Sequence, residues 1–153
     1  LDVVASEFDW VVIDTPPGFD DHVLQALDRS DVLMLLVTPD IPALKNLKLT
    51  LETMDLLNYP RERWRVVLNR ADSKVGLTIT EVEKTLRLPI SAQIPSSRAV
   101  PISVNRGVPI VQDDPGHPVS LEIRRVADRV ATLPSQAGGR GGDRRRLLRR
   151  KAR

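Results

Sequence analysis

Cysteine is absent from the 153 residues, which removes disulfides and thiolate metal sites from consideration and fits a cytosolic protein. Aromatic residues make up only 3% of the chain, and its basic C-terminal stretch has none, so base stacking is not available there. Long apolar runs are missing too. The longest, Val32 to Val37, falls far below the roughly 20 residues needed to cross a bilayer, and neither a transmembrane helix nor a signal peptide is expected. What is present suffices for a core: 41% of the residues are apolar, and 153 residues suit one α/β domain.

Charge is unevenly placed. Residues 137–153 carry eight Arg/Lys and one Asp, net +7, while the other 136 residues hold 15 basic and 19 acidic side chains, net −4. The high isoelectric point therefore belongs to the tail, and a general nucleic-acid-binding role for the folded part is unsupported.

The chain is organised around Asp9-Trp10-Val11-Val12-Ile13-Asp14-Thr15-Pro16-Pro17-Gly18-Phe19. Four successive apolar residues suit a strand covered on both faces, as in a parallel sheet. Pro16 and Pro17 forbid its continuation, and Gly18 lets backbone come close to a ligand. Ligands of open α/β sheets collect at the carboxyl ends of strands, so Asp14 stands where a metal ion or phosphate would sit. The plain alternative is that Asp14 caps a turn. A carboxylate straight after an apolar strand is nevertheless costly to desolvate unless something positive meets it, and hydrated Mg²⁺ would.

Further elements follow in alternation. Asp20 to Arg29 reads as a helix with Val23, Leu24 and Leu27 on one side, and Val32 to Val37 as a second buried strand. Asp40 caps a helix that tolerates Pro42 in its first turn and turns Leu44, Leu47, Leu51 and Met54 inward. Trp64 to Asn69 reads as a third strand ending on a polar residue. Thr78-Ile79-Thr80-Glu81 is a capping box opening a helix to about Arg87. Pro89 to Ile94 gives a fourth strand, and Pro95, Ser96 and Ser97 start a helix that Gly107 stops. A last helix, Val119 to Leu133, points Leu121, Val126 and Val130 inward. Such alternation implies a mostly parallel, doubly wound sheet.

Val11-Val12-Ile13-Asp14-Thr15-Pro16-Pro17-Gly18-Phe19 resembles the Walker B and switch II region of the deviant Walker A ATPases, the MinD/ParA superfamily. Thr38 to Asn46, Val67 to Leu77, Ile94 to Arg98 and Val104 to Gly107 narrow the resemblance to the CpaE-like branch, linked to Flp/tight-adherence pilus assembly and polar localisation. The resemblance covers roughly residues 8 to 132, in the family's order. It implies a three-layer P-loop NTPase fold of SIMIBI type, with residues 1–134 as the C-terminal part of the nucleotide-binding domain. No G-x-x-x-x-G-K-[ST] loop or deviant form of it occurs, so the N-terminal part holding the α- and β-phosphates is expected upstream of Leu1. The cofactors implied are ATP and Mg²⁺. Asp14 would hold Mg²⁺ through water as the catalytic-site acid, and Thr15, Pro16, Pro17 and Gly18 would form the switch sensing the γ-phosphate. Asn69 and Arg70 would meet the base, Asn69 reading adenine, while Pro95 and Ser96 would lie along it.

Two other functions use the same residues. Asn69-Arg70-Ala71-Asp72 is one substitution from the Asn-Lys-x-Asp guanine motif, and Asp14 to Gly18 nearly spells the Asp-x-x-Gly of GTPases. The glycine comes one position late and Arg70 replaces the lysine, departures that match the MinD/ParA pattern and favour ATP. A non-hydrolysing localisation scaffold with a degenerate phosphate loop is the alternative of a different class. The resemblance also implies a nucleotide-dependent homodimer, pilus or secretion machinery as partner, and a cytoplasmic protein.

Residues 135–153 read as a disordered basic tail, a glycine-rich linker followed by like charge too dense to fold alone. It is either a solvated end without a partner or a contact for an anionic membrane at the inner face, with nucleic acid the less favoured ligand. In low salt the intact protein is expected to bind vesicles rich in anionic lipid and to lose most of that binding when residues 140–153 are deleted. Equal binding by the truncated protein would remove the tail as the contact.

Overall fold

The computed structural model describes residues 1–72 and 76–133. The basic tail and the Ser73-Lys74-Val75 portion of the motif lie outside the described residues.

Strand β2 (Trp64–Asn69) is the centre of a three-stranded sheet, flanked by β1 (Leu33–Val37) and β3 (Ile90–Ile94). Both pairings are parallel. Leu33 to Val37 run beside Trp64 to Leu68, while Val66 and Asn69 face Ile90 and Ile94 across an irregularity between Val66 and Val67. Side chains alternate across the sheet, so Trp64, Val66 and Leu68 share one face and Val67 points to the other, yet all four are buried. A strand buried on both faces needs apolar residues at every position, as Val66-Val67-Leu68 supplies.

Helix α3 (Ile41–Leu56) connects β1 to β2, and α4 (Ile79–Leu86) connects β2 to β3. Two successive crossovers of one hand, stepping in one direction, leave both helices on the same face. There Leu44, Leu47, Leu51 and Met54 of α3 and Val82 and Leu86 of α4 form one cluster with Leu33, Val37, Trp64, Val66 and Leu68. The caps are those the sequence specifies. Asp40 accepts a hydrogen bond from the Ala43 N–H at 2.9 Å, with Pro42 in the first turn. Thr78 and Glu81 exchange both bonds of the capping box, at 3.3 and 2.8 Å. Helix α2 (Asp21–Arg29) starts on Asp20, which accepts from the Val23 N–H at 2.9 Å, and buries Val23 and Ala26. The Tyr59 hydroxyl donates to the Asp28 carboxylate at 2.8 Å; burial first, and that carboxylate second, push the phenol up to about 12.

Three later helices follow β3: α5 (Ala99–Asn105), the single turn α6 (Ile110–Asp113) and α7 (Pro118–Ala131), which packs against β3. Two buried hydroxyls here are satisfied internally, Ser103 donating to the Val100 carbonyl and Ser120 to those of Ile110 and Asp114. Gly107, at φ +72, closes α5 as expected.

Three expectations are corrected. Residues Asp9 to Ile13 form no strand and lie exposed, Val12 at 94%. An apolar run becomes a strand only when a ladder receives it, and among the described residues none pairs with this one; β1 stands at the sheet edge with Met34 and Leu36 exposed. Asp14 is therefore not delivered by a buried strand. Leu121 is exposed, because the inward stripe of α7 runs through Val119, Ile123, Val126 and Val130, and Leu121 stands about 200° around the helix from Val119. Helix α1 (Asp2–Glu7) had no expectation at all, and none of its residues is buried.

Met54 is 1% exposed at the centre of the cluster, so Met54→Ala is expected to destabilise the protein by about 2–5 kcal/mol, read from the urea midpoint. The capping carboxylates set an acid limit. The Thr38 hydroxyl and then the Ala43 N–H lower Asp40, and the Thr78 hydroxyl and then its N–H lower Glu81. A folded value below the unfolded one contributes stability above the ordinary carboxylate range, near about pH 4, and that stability is lost as pH falls through the lowered value. Glu81→Gln, which keeps the cap and removes the titration, should shrink the stability lost between neutral and acid pH; an unchanged loss would exclude Glu81.

Candidate functional site

Parallel pairing brings the carboxyl ends of all three strands to one edge of the sheet, where three turns meet: Thr38-Pro39-Asp40 after β1, Arg70-Ala71-Asp72 after β2 and Pro95-Ser96-Ser97 after β3. The last two are stitched together. The Ala71 N–H donates to the Ile94 carbonyl at 3.0 Å, and the Ser96 N–H donates to the Asp72 carboxylate at 2.6 Å. That amide, followed by the Ser96 hydroxyl, holds the Asp72 carboxyl below the usual carboxylate range. The first turn is tied to the chain beyond the second: the Leu77 N–H donates to the Pro39 carbonyl at 2.9 Å. Gly76 packs so closely on Pro39 that a Cβ would lie 2.5 Å from that carbonyl oxygen.

Asn69, the last residue of β2, is half-buried, and its side-chain oxygen accepts the Arg70 N–H at 3.0 Å. The amide is oriented by that bond, and its NH₂ has no acceptor among the described residues. Arg70 is exposed and takes φ +54, a left-handed turn that folds the chain back toward β3. Pro95 is half-buried and Ser96 exposed. Beyond Ser96, the Ser97 hydroxyl lies 3.1 Å from Nε2 of His117, the N-cap residue of α7.

Of the expected site residues, the fold brings Asn69, Arg70, Pro95 and Ser96 together. Asp14, Thr15, Pro16, Pro17 and Gly18 are all exposed, and no hydrogen bond or ion pair among the described residues joins them to the other four. Gly18 has φ +123 with nothing within 4 Å of a would-be Cβ, so it supplies conformational freedom. Among the described residues no three His, Cys, Asp or Glu side chains gather as a metal cage. A single carboxylate with no internal partner, such as Asp14, suits an ion that keeps most of its waters, as Mg²⁺ does. Sequence reasoning passed over His117. Its signal was faint, one histidine before Pro118 at the start of a helix.

No family model matches the chain. The septum site-determining protein MinD of Thermotoga maritima is 28% identical over 108 residues, 67% of this chain and 40% of that protein. A crystal structure of a ParA family ATPase from Chlorobium tepidum superposes with a TM-score of 0.76 at 26% identity, covering 86% of this chain and 54% of that one. MinD from Pyrococcus horikoshii, solved in complex with Mg-ADP, gives a TM-score of 0.72 at 19% identity, with 86% and 54% covered, and shares the fold. The chain spans about half the length of the curated relatives it matches. No helix among the described residues is long and apolar enough to cross a membrane. With its parallel sheet, its superposition on the ParA family ATPase and these sequence matches, the chain is homologous, at low identity, to the P-loop ATPases of the MinD/ParA family.

Proposed function

We propose that the intact protein is an ATP-binding, ATP-hydrolysing switch of MinD/ParA type, in which this chain supplies the base-contacting edge and the Mg²⁺-side acid. The observation that carries the reading is the pair Asn69 and Asp72 at the ends of the β2 turn. Asp72, the residue a guanine-specific site would keep free for the base, accepts the Ser96 N–H. Asn69 keeps an NH₂ with no acceptor among the described residues, a donor matched to an acceptor nitrogen of a purine. The Asn69 donor would serve N7 of either purine, so it is the engagement of Asp72 on Ser96 that favours adenine.

The division of labour follows. Mg²⁺, when held in the site, would supply neutralisation of the phosphate charge. Asp14 anchors that ion through water, free of any competing protein partner among the described residues. Thr15 to Gly18 form the switch, with the Gly18 amide for the γ-phosphate. Asn69 reads adenine, Arg70 covers it from the exposed side, and Pro95 and Ser96 line it. Positioning and charge neutralisation provide nearly all catalysis in this chemistry, so a full site also needs a phosphate-holding loop. Nucleotide-dependent homodimerisation, a role in pilus or secretion-system assembly or polar localisation in the manner of the CpaE-like branch, and a cytoplasmic position complete the proposal.

In the intact protein, Asp14→Ala is expected to abolish Mg²⁺-ATP turnover with little loss of fold; retained turnover would remove Asp14 from the site. Asn69→Ala should weaken ATP binding by about 1–3 kcal/mol in calorimetry, the worth of a good base contact. GTP displacing ATP at equal concentration would overturn the adenine assignment. The 153-residue chain by itself should not hydrolyse ATP, and Asp14-dependent turnover by it would contradict that division of labour.

A further inference from the structure

We infer that His117 is a positioning residue for the nucleotide base, acting through Ser97 to clamp the loop that carries Pro95 and Ser96; the inference rests on the nucleotide reading above. The proton on His117 is assigned by its neighbours. Nδ1 accepts the Val119 N–H at 3.1 Å, so Nδ1 is unprotonated and the ring hydrogen sits on Nε2. Nε2–H then donates to Ser97 Oγ, 3.1 Å away. Ser97 Oγ also accepts the Ala99 N–H at 3.0 Å, which uses both of its lone pairs and leaves its own hydrogen as a donor.

The geometry makes a two-sided clamp. On one flank Asp72, from the β2 turn, takes the Ser96 N–H. On the other, His117 takes Ser97, the next residue along. His117 is itself well anchored. Pro118 behind it disfavours helical backbone at His117 and fixes the extended N-cap conformation, observed at φ −61 and ψ 141. Val119 and Ser120 immediately beyond are buried at 2% and 0%. The α7 N-terminus therefore reaches the base-lining loop through one imidazole, and the helix that packs on β3 sets where Pro95 and Ser96 stand.

A helix cap alone would need only Nδ1. An asparagine caps a helix as well and is too short to reach Ser97, so His117→Asn in the natural full-length protein separates the two roles. It is expected to keep the melting temperature while weakening ATP binding about fivefold, the loss of one hydrogen bond in a network, with KM raised and kcat unchanged. Ser97→Ala should do the same, and the double variant should be no weaker than either alone. The amides of Ser97 and Ala99 should exchange faster in His117→Asn with no nucleotide present. ATP affinity equal to wild type in His117→Asn, or additive losses in the double variant, would overturn the inference. Unchanged amide exchange would overturn it independently. Wild-type protein that binds no nucleotide would instead refute the functional reading, while the exchange rates would still decide whether His117 holds the loop.

Discussion

The parallel ladder on both sides of β2 is the constraint from which the rest follows. Because both neighbours run in its direction, all three carboxyl ends emerge at one edge, and the connecting helices must return along a face of the sheet. β2 pays for its central place in composition, since every position from Trp64 to Leu68 except Arg65 is apolar and buried. Its last residue, the polar Asn69, then stands where the sheet gives way to solvent. The proposed base-reading group thus sits at the end of the most buried strand.

Polar groups at that edge are spent on one another before any ligand arrives. Asp72 is committed to Ser96, Ser97 to Ala99 and His117, and the Asn69 oxygen to Arg70. Among the described residues the Asn69 NH₂ and the Ser97 hydroxyl hydrogen are left as donors, while the Asp72 carboxylate keeps acceptor capacity.

What was legible in the sequence was the local signal. Asp20, Asp40 and Thr78 with Glu81 mark helix starts through bonds to residues three positions away, and α3 announces its core stripe by spacing alone. The β2 turn and the β3 turn, both expected at the site, lie side by side, joined by the Ala71–Ile94 and Ser96–Asp72 hydrogen bonds. What failed was the inference from composition to pairing. Trp10 to Ile13 is as apolar as β2, yet a strand is made by its neighbours, and neighbours are not written in a four-residue run. Leu121 failed for a related reason: which face of α7 turns inward is set by its packing on β3, and Leu121 lies two residues from both Val119 and Ile123 of the inward stripe. His117 went unseen because its partner lies 20 positions back in the chain.

The contact of Gly76 with Pro39 has a consequence for how the edge moves. With no room for even a methyl group between them, and with the Leu77 amide bonded to the Pro39 carbonyl, the turn after β1 and the chain beyond the β2 turn share a single hard surface. Two segments in such contact, joined by a hydrogen bond, cannot shift independently. A displacement of either segment is therefore shared by the other, and Asp40, the N-cap of α3, stands next to that contact. The coupling is built from a residue whose whole contribution is to have no side chain.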